Sequence, residues 1–131
     1  MRTVNPYLLH DLMAPITGLA DDDNAVILYR YVDQGNEDHY REIIRGLFVE
    51  YFSGFSNSKK EKTKLTLRYY LSKHDSDFER VFNACLPPFE PPYNPRDFFV
   101  WIWEELFGDE CFKITDMHKY EITPNLHDQF I

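Results

Sequence analysis

The sequence is poor in cysteine and glycine. Its 131 residues include two cysteines, Cys85 and Cys111, which are too few for a disulfide scaffold and lack the Cys-x-x-Cys spacing of zinc and redox motifs. We therefore expect a reducing compartment, the cytoplasm. Of the five glycines, no two lie closer than Gly46 and Gly54. This spacing excludes the glycine-rich loops that wrap phosphates in nucleotide-binding proteins.

Long apolar runs and an excess of positive charge are also missing. The longest apolar run, residues 98–103, has six residues, far fewer than the roughly 20 needed to cross a bilayer. Residues 1–17 are interrupted by polar side chains and two prolines, so we expect no secretory signal. Lys and Arg number 14 against 22 Asp and Glu, a net charge of −8. This balance argues against nucleic acid and membranes as partners and favours basic ones.

The chain does have enough apolar surface for one core. Hydrophobic residues make up 44% of it and aromatic residues 17%, which places it outside the disordered class. At this length a single domain over residues 1–131 is expected. The sequence shows no internal repeat, which excludes a solenoid.

The clearest predicted helix covers residues 37–55, where apolar side chains recur every three or four positions. Asn36 provides its N-cap, and Gly54 provides a left-handed residue at its end. A second helix is predicted just before it, with residues 21–23 as cap and first turn and Gly35 as its end. The two helices are expected to meet in a tight turn.

Residues 86–95 contain five of the eight prolines, so this connection should run extended. A short helix is predicted before it, capped by Asp75 or Ser76 and stopped by Pro87. Cys85 follows the three- and four-residue spacing of the apolar side of that helix and is predicted to lie in the core.

A further helix is predicted from Pro95, with Asn94 as its cap, to Gly108. Its apolar residues cover nearly the whole circumference, so we expect it at the centre of a bundle. Residues 64–71 alternate like a strand but also fit helical spacing. Their helical neighbours and a cap at Ser58 favour a helix.

Residues 112–114 and 119–122 fit either a small C-terminal β-hairpin or irregular chain. Together the patterns predict an all-α, or mainly α, fold, which is a single-domain bundle of five to six helices. The sequence does not decide whether the small C-terminal hairpin forms.

Catalytic and metal-binding motifs are missing from the sequence. No serine is flanked by glycines as in a hydrolase nucleophile elbow. Three histidine–carboxylate pairs have metal-ligand spacing, but none extends to four ligands: His39 with Glu42, His74 with Asp77, and His118 with Asp116. We therefore predict no catalytic residue, no metal and no cofactor. The 22 carboxylates leave a small hydrolase with an unrecognised carboxylate or metal site as an alternative.

Charge is unevenly distributed along the chain. Residues 56–74 carry a net charge of +5, which leaves −13 for the rest. Ten of the 22 acids form three clusters: Asp21, Asp22 and Asp23; Asp33, Glu37 and Asp38; and Glu104, Glu105, Asp109 and Glu110. Such clusters also occur where acids complement helix dipoles or keep turns hydrated. With Tyr29 and Tyr31 as aromatic anchors, they predict a surface that binds a basic partner.

In size, charge and helical pattern over residues 21–108, the chain resembles the immunity proteins that neutralise bacterial contact-dependent growth inhibition and other polymorphic toxins. The resemblance implies a cytoplasmic protein without enzymatic activity that binds a cognate toxin, often a basic nuclease domain. The clustered acids would then take the place of phosphates in the toxin. It implies no nucleic-acid, membrane or small-molecule partner.

Other functions fit the same residues. A phage-encoded protein that mimics nucleic acid to block a host defence nuclease would share the acidic surface. An adaptor that presents residues 59–73 to nucleic acid is opposed by the negative charge around them. That basic segment fits equally an acidic toxin surface or a solvated helix face.

Overall fold

The computed structural model describes residues 2–131, apart from the side chain of Gln129. The architecture is mainly α in a single domain, as predicted. No helix in that range is both long and apolar enough to cross a membrane. The described residues form these helices and strands: β1 (Arg2–Val4), α1 (Tyr7–Leu12), α2 (Asp23–Leu28), α3 (Glu37–Ile43), α4 (Val49–Ser53), α5 (Asn57–Ser72), α6 (Phe78–Ala84), α7 (Pro95–Phe107) and β2 (Tyr120–Ile122).

Helix α7 lies at the centre of the core, as predicted. Asn94 caps it by accepting a hydrogen bond from the Arg96 amide at 3.2 Å, and Pro95 occupies the first turn. Gly108 follows the last turn with a φ of +63°, a left-handed value that favours glycine. The buried residues of α7 lie on most of its sides: Phe98, Phe99, Trp101, Ile102 and Trp103.

Helices α3 and α4 form one continuous rod through a π-helical turn, Ile44–Phe48. Asn36 caps the rod as predicted, because its side chain accepts hydrogen bonds from two first-turn amides. The predicted left-handed ending at Gly54 is wrong. Its φ is −79°, since its amide donates to the Tyr51 carbonyl in a last tight turn. With α3 and α4 joined, the helices form six separate rods.

Helix α2 is shorter than predicted. It ends at Leu28 instead of Gly35. Beyond that point the backbone amides have other hydrogen-bond acceptors. The Val32 amide donates to the Tyr29 carbonyl in a tight turn, and the Asp33 amide donates to the His39 side chain. Residues 29–36 therefore form turns between α2 and α3.

Two predicted helix caps lie one or two positions away from the real ones. Helix α6 is capped by Asp77, and not by Asp75 or Ser76. Helix α5 is capped by Ser56, and not by Ser58. In both helices the capping oxygen accepts from the amide three residues later, so the residue just outside the first turn is the one in reach.

Residues 64–71 are helical, as favoured by the sequence. Their strand-like alternation arises because α5 packs on two sides. Leu67 and Leu71 lie in the main core. Leu65 and Tyr69, also four residues apart, pack in a second cluster near the chain ends.

Of the alternatives left open for residues 112–114 and 119–122, the C-terminal hairpin is wrong, because β2 pairs in parallel with β1 from the other end of the chain. Residues 112–114 form no strand. Their backbone is held by the Ser72 hydroxyl at the end of α5, which donates to the Phe112 carbonyl and accepts from the Ile114 amide, both at 3.0 Å. The register of the two-stranded sheet is Arg2 with Tyr120, Thr3 with Glu121 and Val4 with Ile122.

The proline-rich connection at residues 86–95 is bent twice, so the predicted extended run is not continuous. The bends seat Phe89 among aromatic rings of the core, with its ring centroid 5.8 Å from that of Tyr29 and 5.9 Å from that of Tyr40. Leu86, which begins the connection, has a φ of +53°. The segment is anchored to the bundle.

Candidate functional site

The first acidic cluster forms the start of helix α2. Asp22 is the N-cap, and its Oδ1 accepts from the amides of Asn24 and Ala25 at 3.0 and 3.3 Å. Asp23 lies in the first turn, where negative charge complements the helix dipole. Asp21 ends the preceding 3-10 turn. All three acids are exposed, so they project negative charge at one end of the helix.

Helix α2 and the turn after it are apolar on both sides. The inward side consists of half-buried residues spaced as i, i+4 and i+7: Ala25, Tyr29 and Val32. The outward side is also apolar: Val26, Ile27 and Leu28 are 39%, 54% and 65% exposed, and Tyr31 is 47% exposed. Single exposed apolar residues are ordinary, but four within six positions make a patch. Such patches mark interaction sites on proteins.

Tyr31 connects this patch to the second acidic cluster. Its ring packs edge-on against the His39 ring, with centroids 5.2 Å apart, and His39 Nδ1 accepts from the Asp33 amide at 3.1 Å. Asp33 Oδ1 accepts from the Gly35 amide at 2.9 Å, which fixes the turn, and exposed Asp38 follows in the first turn of α3. Burial, and secondarily a nearby carboxylate and phenol, raise the pKa of Tyr31. Its hydroxyl therefore remains a neutral donor at physiological pH.

A groove of about 310 Å³ runs between α2 and the proline-rich connection. Val26, Val32 and Phe89 give it apolar walls, and Arg30 and Glu90 are its charged lining residues. Such a groove suits an apolar side chain of a partner. We call the following residues the α2 surface: Asp21, Asp22, Asp23, Val26, Ile27, Leu28, Tyr31, Asp33 and Asp38.

Glu37, Glu104 and Glu105 form ion pairs with arginines within the chain. Arg41 binds all three carboxylates, at 2.6, 2.7 and 3.1 Å respectively, and Arg45 binds Glu105 at 3.1 Å. Burial alone would raise the pKa of Glu105, but hydrogen bonds from Arg45 and Arg41 outweigh it and lower that pKa. Glu104 and Glu105 therefore pair with the rod formed by α3 and α4, and Glu37 pairs within α3.

Glu110 is held in the same way by the basic segment. Lys64 and Arg68 contact its two carboxylate oxygens at 2.6 and 2.9 Å, and the hydrogen bond from Lys64 is the main cause that lowers the pKa of Glu110. Two more lysines of the segment pair with other acids: Lys59 with Asp11 at 2.7 Å and Lys62 with Asp128 at 3.1 Å. Much of the positive charge of residues 56–74 is thus compensated inside the molecule.

Ion pairing divides the predicted partner-binding acids into two groups. Within the part of the chain that the structure describes, the following take part in no ion pair: Asp21, Asp22, Asp23, Asp33, Asp38 and Asp109. All but Asp109 belong to the α2 surface. Sequence reasoning missed the exposure of residues 26–28. The available signal was that three consecutive residues of a helix cannot all face the core.

The structure also places the reactive side chains considered from the sequence. Cys85 is buried as predicted, its Sγ donates to the Phe82 carbonyl at 3.1 Å, and burial raises its pKa to about 11. Cys111 is exposed. Among residues 2–131, no group of three or more His, Cys, Asp or Glu is arranged to hold a metal ion.

No protein-family model matches the sequence, and the searches of curated proteins and of solved structures found no significant match.

Proposed function

We propose that the protein is an inhibitory binding protein of the toxin-immunity kind, whose α2 surface docks the basic domain of a nuclease toxin. One observation carries the proposal: exposed apolar side chains on α2 stand beside acids that form no ion pair within the described residues. In stable complexes, apolar and aromatic side chains supply buried area at the centre, and charges around them steer the encounter.

The apolar residues of the α2 surface are suited to a tight contact. Transfer of a fully exposed leucine out of water contributes about 1.5–3 kcal/mol, and Leu28 and Ile27 retain more than half of that exposure. Tyr31 adds a rigid ring whose hydroxyl can donate to the partner. Burial of several such groups contributes favourable free energy to a complex.

The acids supply selectivity for a basic partner. A nuclease groove that binds phosphates presents Lys and Arg, and the carboxylates of Asp21, Asp23 and Asp33 would take the place of those phosphates. Docking through Glu104 and Glu105 would instead require displacement of Arg41 and Arg45 from them. The α2 surface is therefore the better candidate of the predicted acidic clusters.

We place this activity in the cytoplasm of a bacterium, where an imported nuclease would meet its substrate. The free thiols of Cys85 and Cys111 suit a reducing compartment. In this proposal the protein blocks the toxin by occupancy and performs no reaction of its own.

The deciding experiment is co-expression with the product of the adjacent upstream gene. We expect that product to be lethal alone, harmless with this protein, and co-purified with it at nanomolar affinity or tighter. Leu28→Asp should weaken binding at least about 30-fold in calorimetry. Leu126→Asp is the matched control, because Leu126 is 56% exposed outside the α2 surface, and it should leave affinity unchanged.

Charge is tested separately by association kinetics. Asp21→Asn with Asp23→Asn should slow association at low salt, and the effect should shrink as salt is added. Glu121→Gln, an exposed acid on β2, is the control. A harmless neighbour, the lack of a complex, or equal weakening by Leu28→Asp and Leu126→Asp would contradict the proposal.

A further inference from the structure

A groove of about 360 Å³ at the end of helix α5 departs from the acidic character of the chain. Its charged or titratable lining residues are all basic: His74, Arg96 and Lys113. Phe112 and Ile114 line it as apolar walls. Since the chain carries 22 acids and 14 Lys and Arg, a concave site with no acid in its lining runs against the overall charge.

Two contacts hold the groove in shape. The Ser72 hydroxyl donates to the Phe112 carbonyl and accepts from the Ile114 amide, so the segment after α7 is fixed beside the end of α5. Arg96, in the first turn of α7, donates from Nη2 to the Leu71 carbonyl at 3.0 Å. Its guanidinium carbon lies 5.5 Å from the Phe112 ring centroid. The arginine is therefore positioned before any ligand arrives.

Arg96 differs from the other half-buried arginines, which are Arg41 and Arg68. Both of those contact carboxylates, Arg41 at 2.6–3.1 Å and Arg68 at 2.9 Å. Arg96 takes part in no ion pair among the described residues. Asp97 is its neighbour in sequence, but adjacent positions of a helix do not face each other.

The guanidinium of Arg96 has unused donors. An arginine offers five N–H groups in a planar fork, and one side-chain hydrogen bond is formed within residues 2–131. The nitrogens without a partner are not fully buried, since the buried unpartnered side-chain nitrogens and oxygens belong to other residues. They remain accessible to an acceptor.

We propose that this groove binds the oxyanion of a small phosphorylated or carboxylated ligand. Arg96 binds two oxygens of the anion, and Lys113 and His74 surround it with further donors. Phe112 and Ile114 contact the apolar part of the ligand. The site does not depend on the α2 surface or on the function proposed for it.

The test is a titration of the full chain with inorganic phosphate and, separately, with acetate, at constant ionic strength. Side-chain Nε–Hε and backbone amide signals are followed by NMR. We expect saturable shifts at Arg96 and at residues 113–115, and the anion that saturates at lower concentration identifies the phosphoryl or carboxyl group. Arg96→Lys keeps the charge but loses the fork, so it should weaken binding at least about fivefold. Arg80→Lys, an exposed arginine outside the groove lining, should not.

A thermal melt shows whether Arg96→Lys still folds. A second variant keeps the test valid if it does not. Lys113 is exposed, so Lys113→Met should keep the fold and still weaken binding several-fold. The proposal is overturned if neither anion gives saturable shifts in the unmodified chain. It is equally overturned if the affinity is the same in Lys113→Met and Arg80→Lys.

Discussion

Replacement of Asn5 by alanine tests whether one buried amide holds the two ends of the chain together. Asn5 follows β1 and is 3% exposed. Its Nδ2 donates to the Asn125 carbonyl at 2.6 Å and to Asp128 Oδ2 at 2.9 Å. Its Oδ1 accepts from the amides of Tyr7 and Asn125 at 3.1 and 3.2 Å. The side-chain amide is thus fully hydrogen-bonded.

The magnitude follows from those four bonds. The bond to the Asp128 carboxylate contributes about 1.5–3 kcal/mol because its acceptor is charged, and each of the others contributes about 0.5–1.5 kcal/mol. Tyr7 and Asn125 are exposed residues, so water replaces part of their bonds. We expect Asn5→Ala to lower the free energy of unfolding by about 3 kcal/mol.

Urea unfolding followed by circular dichroism measures this loss. Asn83→Ala is the matched control, because Asn83 is exposed on α6, and it should change stability by less than about 0.5 kcal/mol. A loss below about 1 kcal/mol in Asn5→Ala, or an equal loss in the control, would refute the reasoning.

The same contact makes the loss depend on pH. Burial alone would raise the pKa of Asp128, but hydrogen bonds from Asn5 and Lys62 outweigh it and lower the pKa below the ordinary 3.8. A lowered folded-state pKa stabilises the fold above the unfolded value, and the contribution is lost as pH falls through the folded one. Asn5→Ala should therefore lower the free energy of unfolding by more at about pH 7 than at about pH 3. A cost independent of pH would contradict this assignment.

Other single positions give independent tests. Leu86 has a φ of +53° and is 53% exposed, so Leu86→Asn, which tolerates left-handed backbone, should raise the free energy of urea unfolding by up to about 1 kcal/mol. Because burial raises the pKa of Cys85 to about 11, a thiol reagent should modify exposed Cys111 at least about tenfold faster, as measured by peptide mass spectrometry. Phe89→Ala removes a ring packed against Tyr40 and should cost about 3 kcal/mol in urea unfolding, whereas a loss under about 1 kcal/mol would contradict its anchoring role.

The fold was predictable where its signals are local. Asn94, Pro95 and Gly108 mark the two ends of α7, and each acts on backbone groups within a few residues. The hairpin alternative was wrong because the partner of β2 is β1, more than a hundred residues earlier. The alternation of apolar and polar residues in one segment does not identify the strand with which it pairs. Residues 64–71 were ambiguous for a related reason, since their two apolar sides face two different clusters.

The candidate site was predictable only as a set of acids, because the sequence does not show which of them the fold neutralises. Arg41 forms its hydrogen bond with Glu104 across 63 positions of sequence, and Lys64 forms its hydrogen bond with Glu110 across 46. These pairs form because α3 and α5 both pack against α7. No such helix brings a cation to Asp21 within the described residues. The sequence determines the net charge of the chain. Helix packing determines which acids remain exposed without a basic side chain beside them. In the proposed complex a basic partner would therefore be drawn to the acids at the start of α2 more strongly than to those at the end of α7, although the sequence places three acids at residues 21–23 and four at residues 104–110.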